Sequence, residues 1–208
     1  MIIHGCKQRG HTWRSLRAGR ITGTAFRCMA NGTEAGREKL CQRIADERKN
    51  GYVAKEGFIS EAMQRGIELE AEAREMFEIG MRGQIQEVGF VEMDDLVGCS
   101  PDGFIVGWGS GIEIKCPAKK THERYLKEGS KAWMSSYRWQ VQGSMWVTRL
   151  ERWYFVSYNP DLPTHQRLFV DEVFPDRESF AKLEAGAEFC RKRIAEILKE
   201  SADAPQDR

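Results

Sequence analysis

No stretch of this 208-residue sequence stays apolar for the roughly 18 residues that a membrane-spanning helix requires, so a helical membrane protein is excluded. No CxxC pair occurs among the six cysteines, Cys6, Cys28, Cys41, Cys99, Cys116 and Cys190, and the four histidines, His4, His11, His122 and His165, stand apart. Zinc sites draw on such ligands at short spacing, so the thiols are expected to be structural or incidental. The first residues, MIIHGCKQRG, lack the apolar run of a secretory signal. Reduced cysteines in a cytoplasmic setting are therefore expected. There is also no internal repeat, no low-complexity linker and no large excess of one charge, the net value being +1. Near-neutrality excludes little by itself, because opposite charges can segregate onto separate faces.

What is present fits one domain over residues 1–208, with 41% hydrophobic and 30% charged residues. Residues 11–30 carry Arg14, Arg17, Arg20 and Arg27 and read as a helix, a turn at Gly19 and a second helix capped by Thr22 or Thr24. Further helices are expected over about 60–77, 130–147 and 176–199, the last with Phe180, Leu183, Ala187, Cys190, Ile194 and Ile197 on one stripe. Strands are expected over 85–93, 97–106, 112–116, 151–158 and 167–174, and residues 200–208 read as a loose tail. The fold class is thus α/β, with helices around a mixed, mostly antiparallel sheet.

One stretch, SPDGFIVGWGSGIEIKCP (residues 100–117), asks for a chemical explanation. The glycine-dense GWGSG signals a turn, and a turn centred near Gly107 and Trp108 sets Asp102 opposite Glu113. Side chains so paired lie about 5 Å apart, and two carboxylates at that distance repel unless a cation sits between them. Glu113 and Lys115 share one face of their strand, while Ile112 and Ile114 turn to the core. Phe104 and Val106 share the parity of Asp102, so a bulge or bend is expected there. Oxygen ligands suit Mg²⁺ or Mn²⁺, and a lysine beside them can orient a water for phosphodiester hydrolysis. The plainer alternative is a surface hairpin with a Glu–Lys pair.

Two further polar residues sit on unexpected helix faces. In EAMQRGIELEAEAREMFE, Glu68, Glu72 and Glu75 form a solvated side, but Glu70 shares its side with Met63, Gly66, Ala73 and Phe77. A carboxylate there needs compensation, either from a metal or from Arg74 four residues on. In WMSSYRWQVQGSMWVT, Gln140 shares a side with Ser136, Gly143 and Val147, and Arg138 and Gln142 point the other way. Small neighbours admit a close backbone or a water, and a satisfied core amide is the alternative. Trp133, Trp139 and Trp146 read as packing residues.

The ordered set GIELEAEAR, CSPDGF, GIEIKCP, WQVQGSMWVT and WYFVSYNP resembles the lambda exonuclease family, the YqaJ-type viral recombinases of the PD-(D/E)XK nuclease superfamily, over about residues 13–158. The resemblance implies a restriction-endonuclease-like core, a central mixed sheet flanked by helices. It also implies Mg²⁺-dependent, 5′→3′ degradation of one strand of linear double-stranded DNA, leaving 3′ overhangs. Two Mg²⁺ ions, which Mn²⁺ could replace, would be held by Asp102, Glu113, the Ile114 carbonyl and Glu70. Lys115 matches the motif lysine and Gln140 the water-positioning glutamine. Arg17, Thr24 and Ser100 fit a pocket for the DNA 5′-phosphate, with Thr24 where the family has serine. Lys119 and Lys120 are candidates for a further basic contact. A homotrimeric ring, a single-strand annealing protein as partner and a bacterial host cytoplasm as location are implied as well. An endonuclease of the same superfamily and a catalytically silent DNA-end-binding scaffold are the rival readings.

Overall fold

The computed structural model describes residues 1–51 and 60–203. Two sheets organise it. A small sheet joins β1 (Ile2–His4), β3 (Phe90–Glu92) and β4 (Gly98–Cys99) in the order β1-β3-β4, all antiparallel. A five-stranded sheet has the order β2-β5-β6-β7-β8, formed by β2 (Ile85–Gln86), β5 (Gly103–Ile105), β6 (Ser110–Lys115), β7 (Trp153–Tyr158) and β8 (Leu168–Val173). Only β6 and β7 run parallel, so the sheet is mixed and mostly antiparallel, as expected.

The expected strands over 85–93 and 97–106 are each split between the two sheets. The chain crosses from β2 to β3 at residues 87–89 and from β4 to β5 at residues 100–102. Close packing accompanies both crossings. A Cβ at Gly89 would meet the Cys6 carbonyl at 2.1 Å, and one at Gly103 would meet the Ile85 side chain at 2.4 Å. The bend foreseen in this hairpin is this change of sheet.

Helices cover both faces of the larger sheet. All six residues of β7, WYFVSY, are buried, as befits a central strand without a solvent face. Ile112, Ile114, Tyr154, Val156 and Tyr158 pack against Ala73 and Phe77 of α4 (Glu61–Met81). On the other face Trp153, Phe155 and Val173 meet Tyr125 of α5 (Lys119–Glu128) and Trp133, Val141 and Met145 of α6 (Ser130–Thr148). Trp133 stacks on Phe155 with ring centroids 4.1 Å apart, and Trp146 is buried, so these tryptophans do serve as packing residues. A third core joins α2 (Phe26–Asn31), α3 (Glu34–Asn50) and α7 (Arg177–Asp203) to the small sheet. Helix α1 (His11–Arg17) precedes them and stops before Gly19, which turns with φ 67°.

Several expectations are corrected. The second N-terminal helix is entered through a 3₁₀ turn at Gly23–Ala25, and Thr22 makes no side-chain capping bond. Residues 200–203 belong to α7 rather than to a loose tail, since ILKESAD continues a helix-forming composition; residues 204–208 lie outside the described ones. Met63 is 57% exposed, so the apolar side of α4 begins only after it. The elements β1, α3 and α5 were not expected. All six cysteines are free thiols.

Asp176 starts α7. Its carboxylate accepts the Ser179 N–H at 3.1 Å and the Ser179 hydroxyl at 2.5 Å, and it pairs with Arg138. The Ser179 hydroxyl, then Arg138, hold its pKa down at about 2 despite partial desolvation. Asp176→Ala is expected to cost about 1–2 kcal/mol by urea melting near neutral pH. A carboxylate with a lowered folded pKa stabilises fully above its unfolded value and loses that contribution as pH falls through the folded value. The deficit of the variant should therefore shrink between about pH 4 and pH 2.

Candidate active site

The register of the β5–β6 hairpin places the acids. Gly103 pairs with Ile112, so Asp102 is the next residue opposite Glu113, and the Asp102 N–H reaches the Ile112 carbonyl at 3.3 Å. Glu113 lies between two core isoleucines on β6 and points to the opposite face, toward α6, at only 1% exposure. A Glu–Lys pair on a solvated hairpin is therefore excluded. One Glu113 oxygen, Oε1, receives both the Lys115 ammonium and the Gln140 side-chain amide. The other, Oε2, is buried and has no hydrogen-bond partner among the described residues.

Asp102 closes the arrangement. Its Oδ2 accepts the Ile114 N–H at 2.6 Å, replacing a ladder bond that β5 no longer supplies. In a strand, the N–H and C=O of one residue leave on the same side, so the Ile114 carbonyl also faces the Asp102 side of β6. Burial, then the charge of Glu113, push the Asp102 carboxyl up to about 7, against the pull of Lys115 and the Ile114 N–H. Burial alone would discharge Lys115, but Glu113 and Asp102 outweigh it and raise its pKa above the usual lysine value. Lys115 is therefore a fixed ammonium in this arrangement.

Glu70 enters from α4, on the other helical layer. It is close enough to Asp102 that, after burial, the Asp102 charge is the main influence raising its pKa. Arg74 binds Glu70 at 2.9 Å and Arg9 approaches it at 3.6 Å. The helical pair foreseen as an alternative thus exists, together with the proximity to Asp102. Arg9 is brought there by the N-terminal segment, where Gln8 donates to the carbonyls of Val88 and Pro101, each at 2.9 Å.

These atoms suit a hard divalent cation. The donors are carboxylate oxygens with a carbonyl beside them, the two central acids repel, and one buried carboxylate oxygen is orphaned. Among the described residues, no three acidic, imidazole or thiol groups form a ready-made metal cage, because Glu70 and Glu113 are held by cationic and amide side chains instead.

On the neighbouring surface, Ser100 accepts bonds from Arg17 at 3.2 Å and from the Trp13 indole at 2.9 Å. The Arg17 guanidinium lies 4.2 Å from the Trp13 ring centroid. Burial, then the charge of Arg43, lower the Arg17 pKa to about 10. The structure thus brings Arg17 and Ser100 together, whereas Thr24 is exposed in the 3₁₀ turn and bonds to neither among the described residues. Arg20 is engaged inside, with Leu16, Asp94 and Glu92, and Arg27 is exposed on α2. Lys119 and Lys120 are exposed at the start of α5. Around Gln140, the space left by Gly143 is filled by the Phe26 ring, 2.1 Å from where a Cβ would stand. Gln142 and Arg138 do turn away, toward the start of α7.

Arg43 and Glu47, two charged residues of α3 whose charges act on Arg17, were not among the residues singled out from the sequence. Glu47 lies one turn after Ile44 on the buried side, so the reasoning applied to Glu70 applies to it equally.

The mixed sheet flanked by helices is a restriction-endonuclease-like fold, and the exonucleases that share it support a nuclease. The chain belongs to the family of YqaJ-like viral recombinase domains, whose pattern matches residues 12–151. It is similar to the alkaline exonuclease LHK-Exo from Laribacter hongkongensis, with TM-score 0.78 and 28% identity over 93% of this chain and 98% of that one. The same exonuclease in complex with dAMP superposes with TM-score 0.79 at 28% identity over the same shares. A phage-related exonuclease from Haemophilus somnus 129PT shares the fold, with TM-score 0.68 and 17% identity over 95% and 97% of the two chains. The Escherichia coli K12 protein ExoD is 56% identical over 32 residues, which make up 15% of this chain and 37% of that protein.

The strained acid pair has a measurable consequence. A carboxyl whose folded pKa lies above its unfolded value of about 3.9 favours folding below that value and opposes it as pH rises toward the folded one. In chelator, Asp102→Asn is expected to melt above wild type at pH 8, with the gap narrowing below pH 7 and vanishing near pH 4. Added Mn²⁺ should raise the melting temperature of wild type and not of the variant, by differential scanning fluorimetry.

Proposed function

We propose that this protein is an exonuclease of phage-type recombination, degrading linear double-stranded DNA from its 5′ ends and leaving 3′ overhangs. The observation that supports this most directly is Glu113. It is buried opposite Asp102, with one oxygen gripped by Lys115 and Gln140 and the other orphaned. Such a carboxylate is costly to keep unless it binds a cation in use.

In this reading Asp102, Glu113 and the Ile114 carbonyl would hold Mg²⁺ (Mn²⁺ could replace it), and Glu70 would serve a second ion after release from Arg9. When bound, the ions would supply a nucleophilic hydroxide at neutral pH and neutralise charge on the scissile phosphate. Lys115, as an ammonium, steers the attacking water and favours the negatively charged transition state. Gln140 lies against the same Glu113 oxygen, so its amide fixes the carboxylate and can orient that water. Arg17 and Ser100, hydrogen-bonded to each other, would bind the 5′-terminal phosphate, a dianion suited to a forked guanidinium. The family membership and the exonuclease neighbours support the reaction class, and dAMP bound to LHK-Exo is consistent with mononucleotide release. A homotrimeric ring threading the duplex, and delivery of the exposed strand to a single-strand annealing protein, belong to the same proposal.

The test is a linear duplex labelled separately at each 5′ and 3′ end, digested with Mg²⁺ and with chelator. Loss of 5′ label as mononucleotide, with Mg²⁺ only and with covalently closed circles left intact, is the expected result. Early loss of 3′ label, or cutting of circles, would refute it. Lys115→Ala should lower the rate by about 10²–10³-fold while end binding by gel shift persists. Arg17→Ala should slow digestion of 5′-phosphorylated ends more than that of 5′-hydroxyl ends.

A further inference from the structure

We propose that Glu47 is a positioning residue of the anion pocket, aligning Arg43 toward Arg17 and locking the backbone that carries Arg17, so that the pocket selects a terminal phosphate monoester. The proposal rests on the reading above that Arg17 and Ser100 receive the 5′-phosphate of the duplex.

Helix α3 gives no local reason for an acid at this place. Glu47 lies in its last turn, where the helix dipole disfavours negative charge, and it is only 8% exposed. Its two oxygens are used separately. Oε2 accepts the Gly19 N–H at 3.0 Å, and Oε1 accepts from Arg43 Nη1 at 2.7 Å. The next residue, Arg48, completes the grip by donating Nε to the Gly19 carbonyl at 2.9 Å. Both polar backbone groups of Gly19 are therefore held by a single dipeptide of another helix. Gly19 turns with φ 67°, and a Cβ there would stand 2.6 Å from Arg48 Cγ. This clamp sits two residues after Arg17, so it sets where α1 ends and how Arg17 reaches Ser100.

The charge balance points to the ligand. Arg17 and Arg43 repel, since Arg43 is the strongest charge acting on the buried Arg17. Glu47 offsets one of the two positive charges, and the pair stays net positive. A phosphate monoester brings close to two negative charges and three acceptor oxygens, a phosphodiester one charge, and a 5′-hydroxyl none. Arg17, with the positive charge of Arg43 acting on it, gains most from the monoester. Removing the carboxylate frees Arg43 and loosens Gly19 without deleting a phosphate contact.

The test measures binding of a hairpin duplex, labelled in its loop and ending in a 5′-phosphate or a 5′-hydroxyl, by fluorescence anisotropy in EDTA so that nothing is cut. Wild type is expected to favour the phosphorylated end. Glu47→Gln is expected to lower the phosphorylated-to-hydroxyl affinity ratio about tenfold. Arg43→Ala should do likewise, and the double variant should lose less than the sum of the two. A wild-type ratio in Glu47→Gln with Arg17→Ala impaired overturns the role of Glu47 alone. No preference in wild type overturns the pocket and Glu47 together. If Glu47→Gln does not fold, Arg43→Ala decides, because that side chain is half exposed and its loss leaves the core intact. An unchanged ratio in Arg43→Ala then overturns the proposal, and a lowered one upholds it.

Discussion

Two carboxylates face each other across a hairpin in a buried place, and most of the neighbouring structure answers to that repulsion. Lys115 and Gln140 crowd onto one oxygen of Glu113, and the Ile114 N–H is diverted from the sheet to Asp102. Even so, Asp102 stays well above the usual carboxylate range. Buried like charges of this kind are rarely retained for stability, and they mark places where a fold trades stability for chemistry. The two helical layers meet this edge from opposite sides, with α4 bringing Glu70 and α6 bringing Gln140. The site is thus assembled by the packing of the whole sheet rather than by one loop.

How much of this could be read from the sequence follows from the range of each signal. The pairing of Asp102 with Glu113 needed only strand parity and a turn centre, both local, and the register agrees. The inward turn of Gln140 and the outward turn of Arg138 and Gln142 needed only helical spacing. The division into two sheets was not legible, because β2 and β4 have two residues each and no periodicity can show in so short a run. Helix α5 was hidden by its charged composition, KKTHERYLKE. The pairing of Arg9 with Glu70 joins residues 61 positions apart in the chain, which no local pattern encodes.

Helix α3 is the instructive omission. Its apolar side is narrow, yet Thr33 caps its start by accepting the Gly36 N–H and Gly51 ends it in a left-handed turn. Both are start and stop signals of the ordinary kind. The acid on its buried side was equally visible. What was not visible is that its partner, Gly19, belongs to a turn in another helix pair, so the purpose of the charge appears only in three dimensions.

The tripeptide Ser100-Pro101-Asp102 spans the change of sheet, with its hydroxyl on the Arg17 side and its carboxylate on the Glu113 side. A proline between them stiffens the link, and both flanking strands are anchored in separate sheets. Under the proposed activity, the place that feels the end of the strand and the place that cuts it are joined covalently by two peptide units. Their separation then works as a molecular ruler, so that the length of the piece removed in each cycle is set by bond lengths rather than by the breathing of surrounding helices.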